Sequence, residues 1–267
     1  MAAVFQTPRQ GSFVNNAAST LSRERSAVRG PFAPFERPIP SQATQWLAET
    51  RACVDDTRAT RLARIDAAAR AGCNAVHVAS DGRDGATLCG AAHVELASCA
   101  AELGLLYGVV PTGTRQLSAS EPWADHFVVE AREPLARELA LELGFTGKPL
   151  FVRVDAADTA RGLAVIDTLV EAGCRRIVVL ATASPLAKTP CTEVIDELRR
   201  ATGMSVGWSE PRADFSRIAR AHRRGGARHL VARLDLECDG LDAFEPGALC
   251  ELRAALEQSL DERRIAR

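Results

Sequence analysis

The sequence lacks an excess of either charge, because its 33 lysines and arginines are matched by 34 aspartates and glutamates. A nucleic-acid or anionic-membrane partner requires a basic electrostatic field, so neither class of partner is expected. None of the eight cysteines lies in a Cys-x-x-Cys pair, and no cluster of cysteine and histidine has the spacing of a zinc site. No run of 18 apolar residues occurs, so no membrane-spanning helix is predicted.

Signals of secretion and of two common enzyme classes are missing as well. The first residues have neither the charged start nor the apolar stretch of a signal peptide, so a cytoplasmic location is expected. No Gly-x-Gly-x-x-Gly fingerprint follows an apolar run, which argues against a dinucleotide site. No Gly-x-Ser-x-Gly elbow of a serine hydrolase occurs either.

The character of the chain changes near residue 45. Residues 1 to 44 show no apolar periodicity and are rich in proline, serine, asparagine and arginine. Such a segment buries little apolar surface, so we predict a flexible tail over 1–44. From 45 to 267, short apolar runs alternate with helical stretches, which indicates one folded domain.

Eight apolar runs in this domain are too short for helices and are predicted to be strands. Two segments repeat one scheme, DAAARAGCNAVHV at 66–78 and DTLVEAGCRRIVV at 167–179, in which a helix ends at Ala-Gly-Cys and a strand follows. The predicted strands are Trp46–Thr50, Ala75–Ala79, Leu105–Val110, His126–Glu130, Leu150–Asp155, Ile177–Ala181, Ser205–Trp208 and His229–Leu234.

Repeated strand–helix units imply a parallel sheet with right-handed crossovers. Eight such units in a chain of 267 residues favour a closed (β/α)₈ TIM barrel, which needs about 250 residues. An open doubly wound sheet is the alternative. The last helix is predicted to begin at Pro246, since proline suits the first turn of a helix.

Five phrases along residues 46 to 258 point to one family of barrels. They are WLAET at 46–50 with IDAAARAGCNAVH at 65–77, GKPLFV at 147–152, AVIDTLVEAG at 164–173, VGWSEP at 206–211 and DAFEP at 242–246. In this order they resemble the barrel domain of the sialic acid synthase (N-acetylneuraminate synthase) family. The resemblance implies condensation of phosphoenolpyruvate with an acyl-amino sugar in its aldehyde form, assisted by manganese or magnesium.

The family's functional residues carry over unevenly. Its first-strand glutamate matches Glu49, and the serine of its V-G-Y-S-D-H phrase matches Ser209. The second-strand lysine, a phosphate ligand in the family, falls on His77, while the two metal-binding histidines fall on Pro211 and Arg233. The fourth-strand lysine and serine are replaced too. We therefore assign no metal ligand and no certain cofactor, although a divalent metal stays open, and we expect the standard activity to be lost or altered.

Sites of TIM barrels lie at the carboxyl ends of the strands, which directs the choice of candidate residues. Carboxylates there can act as acid or base, and arginine can bind phosphate or carboxylate bidentately. The candidate catalytic residues are Glu49 and Glu210, and the candidate substrate-binding residues are His77, Arg132, Arg153, Asp155, Thr182, Ser209 and Arg233.

The expected ligand is a small anionic or sugar-like molecule. Three alternatives stay open: the arginines and carboxylates simply pair with one another, the chain is a catalytically silent homologue that binds a ligand or a partner enzyme, or it is an unrelated aldolase- or lyase-type barrel. Association with a second copy of the chain is also left open.

Overall fold

The computed structural model describes residues 44–52, 56–80, 88–131, 134–182, 189–236 and 243–265. The predicted tail lies outside these residues except for Thr44, and it stays a prediction. Within the described part of the chain, no helix is long and apolar enough to cross a membrane.

Within these ranges, eight strands alternate with eight helices. The strands are β1 (Gln45–Ala52), β2 (Ala75–Ser80), β3 (Leu106–Val110), β4 (His126–Glu130), β5 (Leu150–Asp155), β6 (Ile177–Thr182), β7 (Ser205–Glu210) and β8 (His229–Arg233). The helices are α1 (Arg58–Arg70), α2 (Gly90–Glu102), α3 (Thr114–Ser120), α4 (Arg137–Thr146), α5 (Thr159–Glu171), α6 (Cys191–Thr202), α7 (Phe215–Arg223) and α8 (Pro246–Ile265).

The strands close into a barrel in chain order, and every neighbouring pair is parallel. Closure is made by β8 against β1, where Trp46 lies beside Leu230 and Glu49 lies beside Arg233. The predicted (β/α)₈ barrel is confirmed, and the open sheet is excluded because the first and last strands pair with each other.

The ends of the helices follow local chemistry. Thr57, Asp158 and Asp214 cap α1, α5 and α7 by accepting hydrogen bonds from backbone N–H groups of the first turn. Gly72 and Gly173 follow α1 and α5 with φ of 72° and 91°, a left-handed conformation that favours glycine. The Ala-Gly-Cys phrases therefore end helices as predicted.

Alternation along each strand divides the core into two regions. Side chains such as Trp46 and Trp208 face the helices and form the larger cluster. Leu47, Phe151 and Val231 belong to a second cluster that fills the inside of the barrel. A residue's position along its strand therefore decides whether it points into the barrel or towards the helices.

Candidate ligand site at the carboxyl end of the barrel

Three charged residues from three strands meet inside the barrel near the carboxyl ends of the strands. Glu49 on β1, Glu130 on β4 and Arg153 on β5 have the same orientation as the interior residues Leu47, Val128 and Phe151 two positions before them. The Arg153 guanidinium donates from one terminal nitrogen to Glu49 Oε2 and from the other to Glu130 Oε1. Residues that lie 104 positions apart in the sequence are thus joined directly.

Arg153 is the most buried member of this group, with 8% of its surface exposed. Burial alone would lower the pKa of Arg153, but the charges of Glu49 and Glu130 and their hydrogen bonds outweigh it and raise the pKa above its ordinary value. The guanidinium is therefore charged, and it bridges two carboxylates inside the barrel. Glu49, the residue that matches the family's glutamate, is consequently committed to an ion pair.

Arg233 is a second guanidinium at this end of the barrel. It lies beside Glu49 in the register of β8 against β1 and is half-buried. Within the described residues its side chain makes no hydrogen bond and no ion pair, which distinguishes it from Arg153. A guanidinium presents five N–H donors in a planar arrangement, so Arg233 can receive an incoming anion.

His77 lies deeper than the predicted site. Its ring is fully buried, with its centroid 4.7 Å from the ring centroid of His126 and 5.5 Å from that of Phe151. Burial lowers the pKa of His77 well below its ordinary value, and the nearby His126 and Arg153 lower it further. His77 is therefore a neutral residue of the barrel interior.

Three smaller candidates lie at the ends of β5, β6 and β7. Asp155 and Thr182 are neighbours in the register and are half-buried, and Asp155 Oδ1 accepts a hydrogen bond of 3.0 Å from the backbone N–H of Ala157. Ser209 is buried, on the interior-facing alternation of β7. The predicted Arg132 lies outside the described residues.

Glu210 does not join this group. Its carboxylate accepts a hydrogen bond of 3.0 Å from Trp208 Nε1 and lies 3.5 Å from Arg217 Nε on α7. The Arg217 guanidinium also lies over the Trp208 ring. Burial raises the pKa of Glu210, although the Trp208 hydrogen bond and the Arg217 charge act in the opposite direction. Glu210 therefore faces the helices.

The predicted end of β7 was wrong, and this explains why Glu210 faces away from the other candidates; its catalytic role stays a prediction. The sequence predicts that β7 ends at Trp208, which would leave the next residues free to turn into the mouth. The strand instead continues to Glu210. Alternation then gives Glu210 the same outward orientation as Trp208.

Glu130 is not among the catalytic or substrate-binding residues predicted from the sequence, although a signal for it is present. It is the last residue of a strand whose bounds were predicted correctly, and it shares the alternation of the interior residue Val128. Counting by twos from Val128 would have pointed Glu130 into the barrel.

The described residues do not fit the family's metal arrangement. Pro211 and Arg233 occupy the positions of the two metal histidines, and neither side chain is a metal ligand. Glu49 is bound to a guanidinium instead. Among the described residues, no three histidine, cysteine, aspartate or glutamate side chains converge as a metal site would require.

The sequence matches no protein-family model and no curated protein sequence. Similarity to solved structures is extensive nevertheless. An N-acetylneuraminic acid (sialic acid) synthetase of Leptospira borgpetersenii, solved with citrate, superimposes with a TM-score of 0.71 at 15% identity, over 81% of this chain and 83% of that one. A spore coat polysaccharide biosynthesis protein of Bacillus subtilis gives 0.69 at 17% identity, over 84% and 70%.

A third similar structure is a truncated 3-deoxy-D-arabino-heptulosonate 7-phosphate synthase of Thermotoga maritima. Its TM-score is 0.65 at 14% identity, over 82% of this chain and 88% of that one. At these identities the likeness concerns the fold. The barrel therefore has the fold of sialic acid synthase-like structures, in agreement with the resemblance of its five phrases.

Proposed function

We propose that this barrel binds a small anionic or sugar-like ligand at the carboxyl end of its strands, and that the standard condensation of phosphoenolpyruvate with an acyl-amino sugar is lost or altered in it. Support for the ligand class comes from the similar structures, which include a sialic acid synthetase and a heptulosonate phosphate synthase. Support for the change in chemistry comes from the residues of the site.

The ion pairs of Arg153 carry the proposal. A carboxylate that acts as a base must be free to accept a proton, whereas Glu49 is bound to a buried guanidinium. Removing Glu49 from that pair would leave Arg153 with a single carboxylate partner in a position of low solvent exposure. The pairing therefore favours a structural role for Glu49.

Arg233 supplies the contact for the ligand. It is half-buried, lies at the end of β8 and is unpaired within the described residues, so an anion would not have to displace a carboxylate from it. A hydrogen bond to a charged group contributes about 1.5–3 kcal/mol. Loss of this contact should therefore weaken binding by roughly 10- to 100-fold.

Binding can be tested by isothermal titration calorimetry with phosphoenolpyruvate, citrate and N-acetylmannosamine, each added separately. We expect at least one anion to bind, and Arg233→Gln to weaken that binding. Arg228→Gln is the matched control, because Arg228 precedes the same strand at the opposite end of the barrel. Equal loss of affinity in both variants, or no effect of either, would contradict the assignment of Arg233.

Activity requires a separate assay. We expect no detectable release of phosphate from phosphoenolpyruvate in the presence of N-acetylmannosamine and manganese, because losing one catalytic group typically costs about 10²- to 10⁴-fold in rate. Several groups are replaced here, and their losses combine even if they are not additive. The proposal would be contradicted if the wild type turned over and Glu49→Gln abolished that turnover. The control is Glu102→Gln, on the exposed end of α2, which should leave any turnover intact.

Manganese binding gives an independent measure. Calorimetric titration should show no site tighter than roughly micromolar, the range that weak carboxylate sites reach. A tight site that is lost on mutating a histidine would overturn the proposed change in chemistry. Failure of every anion and sugar to bind would instead leave a partner-subunit role as the remaining proposal.

A further inference from the structure

The interior of the barrel contains three histidines around one phenylalanine. The Phe151 ring centroid lies 5.5 Å from that of His77, 5.2 Å from that of His126 and 5.7 Å from that of His229. The three histidines come from β2, β4 and β8, and none has more than 8% of its surface exposed. Barrel interiors are usually filled by bulky aliphatic side chains, which have no polar atoms. Each imidazole here carries two ring nitrogens that require hydrogen-bond partners inside the barrel.

A glycine provides the space for the His126 ring. Gly108 lies between His77 and His126 in the register of β2, β3 and β4. A Cβ atom at position 108 would lie 2.1 Å from His126 Nε2, so any larger residue would collide with the ring. The His126 imidazole therefore lies over the backbone of β3, close to His77.

His126 also lines a small cavity at the amino end of the barrel. Gln45, Ala75, Leu106 and His126 are the first residues of β1 to β4, which places the cavity at the end opposite the proposed ligand site. The cavity has room for about one water molecule.

The ring nitrogens of His126 have no partner among the residues that the structure describes. Both ring nitrogens are buried and lack a hydrogen bond within the described residues, although a neutral imidazole carries one donor and one acceptor. His77 is close enough to be considered, but the two rings are inclined by 63° and no hydrogen bond joins them. Native proteins satisfy nearly all such buried groups, often through internal water.

We infer that an ordered water molecule occupies this cavity and hydrogen-bonds to the His126 imidazole and to the side-chain amide of Gln45. The Gln45 amide has two N–H donors and a carbonyl oxygen, so it can bond to water in addition to another partner. A water in a polar cavity needs about two to four such partners. Its hydrogen bond to one ring nitrogen would also select the tautomer of His126.

The test is a crystal structure of the full chain at a resolution that shows ordered water, together with two variants. In the wild type we expect density about 2.6–3.2 Å from a His126 ring nitrogen, without anomalous signal from a metal. His126→Phe keeps a ring but removes the nitrogens, so the density should disappear. His229→Phe is the matched control, because His229 also contacts Phe151 but does not line the cavity, and it should keep the water.

Four outcomes would overturn the inference. In the wild type these are an empty cavity with His126 bonded directly to His77, or a metal ion in the cavity. In the variants they are water retained in His126→Phe, or water lost from His229→Phe as well. Nitrogen-15 NMR of the wild type gives a second measurement, since a water-bound neutral imidazole should show one protonated and one unprotonated nitrogen. Exchange-averaged signals from the two nitrogens at neutral pH would also contradict it.

Discussion

Acidification should unfold this protein cooperatively, because all five of its histidines are buried. Burial is the main cause that lowers each imidazole pKa: to about 4 for His93, about 3 for His126 and about 4 for His229. The pKa values of His77 and His222 are lowered as well. In the unfolded chain these groups return to a pKa of about 6.5.

The sign of the effect follows from proton binding. Between about pH 4 and pH 6.5 the unfolded chain binds more protons than the folded chain, so the free energy of unfolding falls as the pH is lowered through this window. At pH 5 each imidazole that stays neutral in the folded state lowers the free energy of unfolding by about 2 kcal/mol. For His93, His126 and His229 together the loss is about 6 kcal/mol. Glu210 opposes this loss, since its raised pKa favours the folded state at acid pH.

A loss of this size is comparable to the whole stability of a typical domain, which is about 5–15 kcal/mol. We therefore expect the urea midpoint, followed by circular dichroism, to fall steeply between pH 6.5 and pH 4.5. His126→Phe and His229→Phe should each reduce the slope of the unfolding free energy by about 1.4 kcal/mol per pH unit, the value for one proton.

Phe151→Leu is the control for these variants. It removes a buried ring from the same cluster without removing a titrating group, so it should lower stability while leaving the pH slope unchanged. A free energy of unfolding that stays constant from pH 7 to pH 5 would refute the reasoning. The same conclusion would follow if the histidine variants kept the wild-type slope.

Three further changes test other parts of the structure. Arg153→Met should destabilise the fold by about 3–5 kcal/mol in urea denaturation, because two carboxylates lose their shared partner; a loss below about 1 kcal/mol would show that the pairing is weak. Gly108→Ala should cost about 1–3 kcal/mol by displacing the His126 ring. Gly113→Ala should have little effect, because no described atom beyond its chain neighbours lies within 4 Å of a new Cβ. Deleting residues 1–43 should leave the melting transition of the barrel intact, and a collapse of that transition would place the domain boundary elsewhere.

The fold could be predicted from the sequence because its signals are local. Short apolar runs separated by helices that end at Ala-Gly-Cys determine the order of the elements, and the predicted ranges of β4 and β5 agree with the structure at both ends. The β7 strand shows the limit of such signals. Ser209 and Glu210 are polar, so hydropathy alone ended the strand too early, whereas backbone pairing with Val231 and Ala232 extends it.

The partners within the site could not be predicted in the same way. Three arginines and four carboxylates near strand ends allow many pairings, and the sequence does not say which of them meet across the barrel. Closure brings Glu49 on β1 and Glu130 on β4 to the same guanidinium on β5, while Arg233, beside Glu49 on the neighbouring strand, remains unpaired within the described residues.

The difference between Arg153 and Arg233 therefore arises from three-dimensional geometry and not from residue type. The interior orientation of Arg153 on β5 leads its buried guanidinium between two half-buried carboxylates, which compensate its charge. Arg233 is the more exposed of the two and can accept an anion at little desolvation cost. Two residues that the sequence placed in one class thus lie in different surroundings: Arg153 is paired with two carboxylates, whereas the Arg233 side chain has no partner within the described residues.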